Sequence, residues 1–126
     1  MLKILLDSDV IIEFLRGNSN IVASFKDFFT KTTILYYSPV SIAEIYAGLL
    51  KGEEEITDNF FRILDCLEID RNIGKKAGEY LKKYTPSHNL EIADALIAST
   101  AFQNKIPLWT LNKKHYPMKD IRVLNF

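Results

Sequence analysis

The chain has 126 residues, 48% of them hydrophobic and 25% charged, with 8 Phe, 6 Tyr and 1 Trp. That length suits one domain, and that apolar share fills a single core and excludes a disordered chain. Lys and Arg total 16 against 16 Asp and Glu, so no overall basic charge announces a nucleic-acid partner.

Short apolar runs alternate with helical stretches. A strand is predicted over 2–6, ending at Asp7, then a short helix over 10–15 stopped by Gly17-Asn18. Val22, Phe25 and Phe29 give helical spacing over 21–29. β-branched and aromatic residues predict a second strand over 33–37. Ser38 as cap and Pro39 at the first helical position open a helix to about Leu50. Another helix follows over 54–64, then a third strand over 67–69. A helix over 72–84 is expected to end at Thr85-Pro86, and a further one covers 91–103. Strands over 107–111 and 121–124 complete the pattern. Strands separated by helices predict an α/β fold with a mainly parallel sheet of four to five strands, covered by helices on both faces. Ligands gather beyond the carboxyl ends of such strands.

That edge collects acids. Asp7 follows the first strand, Asp9 comes two residues later, and Glu44 lies early in the helix after the second strand. Asn112 and His115 follow the fourth strand. Asp94 sits in Ile92-Ala-Asp94-Ala-Leu-Ile-Ala98, so its helix is expected to be buried nearly all round. A lone buried carboxylate costs several kcal/mol or more unless paired or bound to a cation. No Lys or Arg lies within one turn, and Glu91 shares the face of Asp94. A divalent cation removes the repulsion among such acids. With oxygen ligands, no thiol cluster and no paired histidines, Mg²⁺ or Mn²⁺ is expected rather than Zn²⁺. Such sites commonly process phosphate esters.

Structural roles compete with these. Asp9 could cap the helix at Val10, and Ser41-Ile-Ala-Glu44 fits a capping box. Cys66, the only cysteine, lies among Ile63, Leu64 and Leu67 and is expected to be a buried structural thiol. Lys75–Lys76, Lys82–Lys83 and Lys113–Lys114 read as solvated faces first and as local RNA-binding groups second. The opening apolar run is too short for a signal peptide, and no stretch approaches the roughly 18 apolar residues of a membrane span, so a cytoplasmic protein is expected.

Four segments, in order, resemble the PIN domain, and within it the VapC-type toxins. Leu5-Leu-Asp7-Ser-Asp9-Val-Ile-Ile12 is similar to the family's opening, and Phe14-Leu-Arg16-Gly17 continues it. Ser38-Pro-Val-Ser-Ile-Ala-Glu44-Ile-Tyr-Ala-Gly48 resembles the segment with the second acid. Glu91-Ile-Ala-Asp94-Ala-Leu-Ile-Ala98 resembles the third, and Leu108-Trp-Thr110-Leu-Asn112-Lys-Lys-His115-Tyr116 the closing motif. The resemblance implies one PIN domain over 1–126, a three-layer α/β/α fold and a Mg²⁺-dependent endoribonuclease. It implies Asp7, Glu44 and Asp94 as catalytic carboxylates, Asp7 and Asp94 as metal ligands, and Ser8 and Thr110 as their orienting partners. It further implies a homodimer and a cognate antitoxin. Hydrolysis is expected to leave a 5′-phosphate and a 3′-hydroxyl, with Arg16 steering the RNA backbone.

One departure stands out. The closing motif often supplies a fourth acid near Asn112 or His115, and this chain has an amide and an imidazole there. Asp9 or Glu91 is a candidate replacement. Two rival classes remain at this stage: a PIN fold that binds RNA or a partner without cutting, and a receiver-like domain with Asp70 as phosphoacceptor. A phosphatase using Asp7 and Asp9 is a third, although such enzymes usually need a longer chain.

Overall fold

The computed structural model describes residues 2–125, so Met1 and Phe126, the ends of the expected domain, lie outside the described residues. Its strands are β1 (Lys3–Leu6), β2 (Ile34–Tyr37), β3 (Asp65–Cys66), β4 (Leu108–Trp109) and β5 (Val123–Leu124). Its helices are α1 (Ser8–Leu15), α2 (Ser19–Thr30), α3 (Pro39–Ala47), α4 (Glu54–Arg62), α5 (Arg71–His88) and α6 (Ile92–Asn104). The sheet is parallel throughout, in the order β3-β2-β1-β4-β5.

Alternation along the strands builds the two cores. Ile4, Leu6, Leu35 and Trp109 point to one face, where Phe25 and Phe28 of α2 and Phe60 and Phe61 of α4 cover them. Leu5 and Leu108 point to the other, under Ala77 and Tyr80 of α5 and Ala95, Ala98 and Ala101 of α6. The result is the expected three-layer α/β/α arrangement. No helix of the described residues is long and apolar enough to cross a membrane.

The register explains the site. Leu5 pairs with Leu108 and Leu6 with Trp109. The chain leaves β1 toward β2 on one side, while β4 lies on the other. Strand order therefore reverses between β1 and β4, and in such sheets ligands bind beyond the carboxyl ends at that point.

Four local expectations are corrected. The third strand is Asp65–Cys66 rather than 67–69, although the Leu67 N–H still donates to the Tyr37 carbonyl at 2.9 Å. Both residues of this edge strand are exposed, so Cys66 is not a buried thiol. α5 runs through Pro86 and ends only at Asn89, which adopts the left-handed conformation at φ 49°. Proline there forfeits a single hydrogen bond of the last turn, and packing along α6 supports the helix. Asp70 caps α5, accepting from the Ile73 N–H at 2.9 Å, which makes it a structural residue and removes the basis for a receiver domain.

The segment before β5 is tied down from α5. The Tyr80 hydroxyl donates to Asp120 Oδ1 at 2.7 Å, and Lys76 Nζ lies 3.0 Å from Oδ2. This fastens the segment that leads into β5 to α5.

Candidate active site

Asp7 is the first residue past β1. Its N–H donates to the Trp109 carbonyl at 2.9 Å, and its Oδ1 accepts from the Ser8 N–H at 2.8 Å. It is thus the N-cap of α1, a role that the sequence had left open to Asp9. Its other oxygen, Oδ2, accepts from the Thr110 hydroxyl at 2.8 Å and the Tyr116 hydroxyl at 2.9 Å. Asp7 and Thr110 meet because β1 and β4 are neighbours, although 103 residues separate them.

Glu44 reaches the same rim from α3. Ser38 caps that helix by accepting from the Val40 N–H at 3.1 Å, so the capping box at Ser41 and Glu44 does not form. Instead the Ser8 hydroxyl donates to Glu44 Oε1 at 2.7 Å and lies 2.8 Å from the Ser41 hydroxyl. Glu44 is freed from capping and held at the site.

Asp94 occupies the first turn of α6. Its helix is buried continuously only from Ile97 to Ala101, and Ile92 is exposed, so the expectation of burial all round is too strong. The Asp94 side chain is 20% exposed and faces the rim, where Oδ1 lies 3.4 Å from the Tyr116 hydroxyl. His115 Nδ1 stands 3.9 Å from Oδ2.

Burial first and the Asp7 charge second push the Asp94 carboxyl up to about 6, and the same two causes push Asp9 up to about 6. Asp9 Oδ2 accepts from the Leu111 N–H at 3.1 Å, while its buried Oδ1 has no hydrogen-bond partner. Glu91 precedes α6 as an exposed N-cap residue with no capping bond, near enough to add to the repulsion at Asp94. Asn112 donates its N–H to Thr110 Oγ1 at 3.1 Å, and its side-chain nitrogen lies 3.0 Å from His115 Nε2. The bond to Thr110 is made by the backbone, and the side-chain amide that replaces an acid meets His115 instead.

The PIN-domain family model matches residues 4–121. The chain belongs to the PIN-domain family.

This PIN domain is 36% identical to the ribonuclease VapC10 of Mycobacterium tuberculosis over 122 residues, 91% of this chain and 86% of that protein. FitAcB from Neisseria gonorrhoeae matches with a TM-score of 0.77 and 27% identity, over 97% of this chain and 96% of that one. VapBC2 from Rickettsia felis, bound to a DNA fragment from its promoter, matches with a TM-score of 0.82 over 99% of both chains. At 20% identity the last likeness shows the fold.

Two side chains of the PIN-domain site escaped sequence reasoning. Tyr116 and Ser41 are both buried, at 3% and 0% exposure, and both contact the acidic rim through hydroxyls. Tyr116 stood in the closing motif without a role, and a tyrosine directly after four polar residues was the available signal. Arg16 lies just outside the acids. It is exposed, sits 3.4 Å from Glu13, and lines with Ile12, Leu15 and Glu44 a groove of about 420 Å³ between α1 and α3.

The donor set, rich in oxygen, would suit a hard cation better than a soft one. Carboxylates, hydroxyls and the amide would offer oxygen, with a single imidazole nitrogen at the margin. Among the described residues no three acidic, imidazole or thiol side chains close into a ready-made ligand set. A cation with few protein ligands and several waters suits such an open rim, which is the habit of Mg²⁺.

The raised carboxyls carry a pH signature. A folded-state value above the unfolded one means that the native state holds the extra proton, so this stabilisation is full below about pH 4 and lost as pH rises through about 6. In EDTA, calorimetry should show this contribution falling across that interval, with a smaller fall in Asp94→Asn. Were these carboxyls to hold Mg²⁺, the cation would stabilise the protein more at pH 7 than at pH 5, because protons would compete with it, and equal effects at both values would exclude them as its ligands.

Proposed function

We propose that this PIN domain is a ribonuclease that hydrolyses RNA phosphodiesters with Mg²⁺ or Mn²⁺, as the toxin of a toxin–antitoxin pair. One observation carries the reading: Asp7, Glu44 and Asp94 gather on one rim, and among the described residues none has a Lys or Arg within ion-pair distance. Such a concentration of negative charge calls for a cation. The similarity to VapC10, named as a ribonuclease, supports the same activity.

In this mechanism Asp7 and Asp94 would hold the cation, which when bound would neutralise phosphate charge and make water more acidic. Glu44, steadied by Ser8, orients the attacking water and takes its proton. Thr110 fixes the Asp7 carboxylate, and Asn112 in turn fixes the Thr110 hydroxyl. Asp9 and Glu91 add negative charge at the margin. Arg16 steers the RNA backbone toward Glu44, which makes binding salt-dependent. The toxin–antitoxin complexes among the similar structures support an antitoxin as protein partner, and family resemblance supports a second copy of the chain.

The test is incubation of the purified protein with a pool of structured RNAs in Mg²⁺, in Mn²⁺ and in EDTA, beside Asp7→Asn. Cleavage that needs the metal and vanishes in the variant is the expected result. Equal cleavage by both proteins would remove the site assignment. Metal binding without any cleavage would favour a PIN domain that binds RNA or a partner without cutting.

A further inference from the structure

A carboxylate offers about four acceptor positions, two on each oxygen. Asp7 uses three of them: the Ser8 N–H on Oδ1, and the Thr110 and Tyr116 hydroxyls on Oδ2. Its Oδ2 is therefore filled, and one acceptor position on Oδ1 remains open. The Tyr116 hydroxyl also lies 3.4 Å from Asp94 Oδ1, so a single O–H stands between the two acids.

Tyr116 cannot leave this place easily. It is 3% exposed, and its ring belongs to the core formed with Leu5, Leu108 and Ala95. Its hydroxyl is set between the two carboxylates by the packing of its ring. A phenylalanine would fill the same space in the core, so packing alone does not account for the oxygen.

We propose that Tyr116 is a positioning residue for the metal site. Its hydroxyl locks the Asp7 carboxylate, leaves one open acceptor position, and keeps Asp94 spaced beside it. The inference rests on the proposal that these acids hold a divalent cation. Groups that orient a metal ligand typically contribute about 10- to 100-fold to metal affinity.

The test compares Mn²⁺ binding to the unsubstituted chain, Tyr116→Phe and Asp7→Asn, read by electron paramagnetic resonance at fixed pH, with circular dichroism as the check on folding. Tyr116→Phe deletes one oxygen and keeps the ring. It should fold normally and bind Mn²⁺ about 10- to 100-fold more weakly. A side chain that only filled the core would leave that affinity unchanged.

A second measurement needs no altered site. In protein labelled with ¹³C at tyrosine Cζ, the Tyr116 resonance, identified by its absence in Tyr116→Phe, should shift saturably as Mg²⁺ is added. Unchanged Mn²⁺ affinity in Tyr116→Phe, while Asp7→Asn binds weakly, overturns the role of Tyr116 and leaves the metal site standing. A Tyr116 resonance that ignores saturating Mg²⁺ does the same. Equal Mn²⁺ binding by the unsubstituted chain and Asp7→Asn overturns the metal site and this inference together.

Discussion

Asp94→Asn should lose metal-dependent RNA cleavage by roughly a thousandfold and yet melt higher than the unsubstituted protein when metal is absent. On the proposed assignment the loss follows from removing a ligand of the cation, whose stabilisation of transition-state charge would be worth several kcal/mol; about 4 kcal/mol is a thousandfold. The gain follows from the geometry. Asp94 is held charged at neutral pH against burial and against Asp7, with only a histidine 3.9 Å away to offset it. Asparagine has the same shape, keeps an oxygen near the Tyr116 hydroxyl, and carries no charge. Discounted for the solvent that still reaches this carboxylate, the relief is roughly 1 kcal/mol, or about 3 °C in a domain of this size. Calorimetry in EDTA and in Mg²⁺ measures both arms. The variant should also lose most of the stabilisation by Mg²⁺. A variant that melts lower in EDTA and still responds fully to Mg²⁺ would mean that Asp94 is a structural acid.

The largest effect on stability is expected at Trp109. Its side chain is fully buried, with ring centroids 5.4 Å from both Phe25 and Phe28. Trp109→Ala removes the centre of the core between the sheet and α2, a change that costs about 3–5 kcal/mol. Set against roughly 5–15 kcal/mol for a whole domain, that brings the protein near its folding limit. The damage should reach the site as well. The Trp109 carbonyl accepts the Asp7 N–H, and the next residue is Thr110, which donates to the Asp7 carboxylate. Urea unfolding should show a much lower midpoint for Trp109→Ala and recovery of most of the loss in Trp109→Phe, which refills most of the volume. A midpoint within about 1 kcal/mol of the unsubstituted protein would show that this core can collapse around the gap.

The importance of the site residues was legible at different levels. Asp94 stood out by itself, because a carboxylate amid apolar neighbours is costly wherever the chain folds. Asp7 and Glu44 were legible through the alternation of strands and helices, which places residues after parallel strands on one edge. The family motifs rest on the same short-range patterns. Asp9 was harder, since an acid at a helix start is a cap and a ligand candidate alike. Only the hydrogen bond from Ser8 to Asp7 assigned the cap to its neighbour.

The sequence by itself determined the fold class and the set of acids, because hydrophobic periodicity and helix signals act over a few residues. The order of the sheet, the exposure of Cys66 and the path of α5 through Pro86 were decided by tertiary packing, which can expose an apolar stretch at a sheet edge and carry a helix past a proline. So were the roles of Ser41 and Tyr116. Their hydroxyls meet partners 33 and 109 residues away. Nothing local encodes such a meeting; it exists because β4 lies beside β1 and α3 crosses α1, and those placements are set by burying the two faces of the sheet.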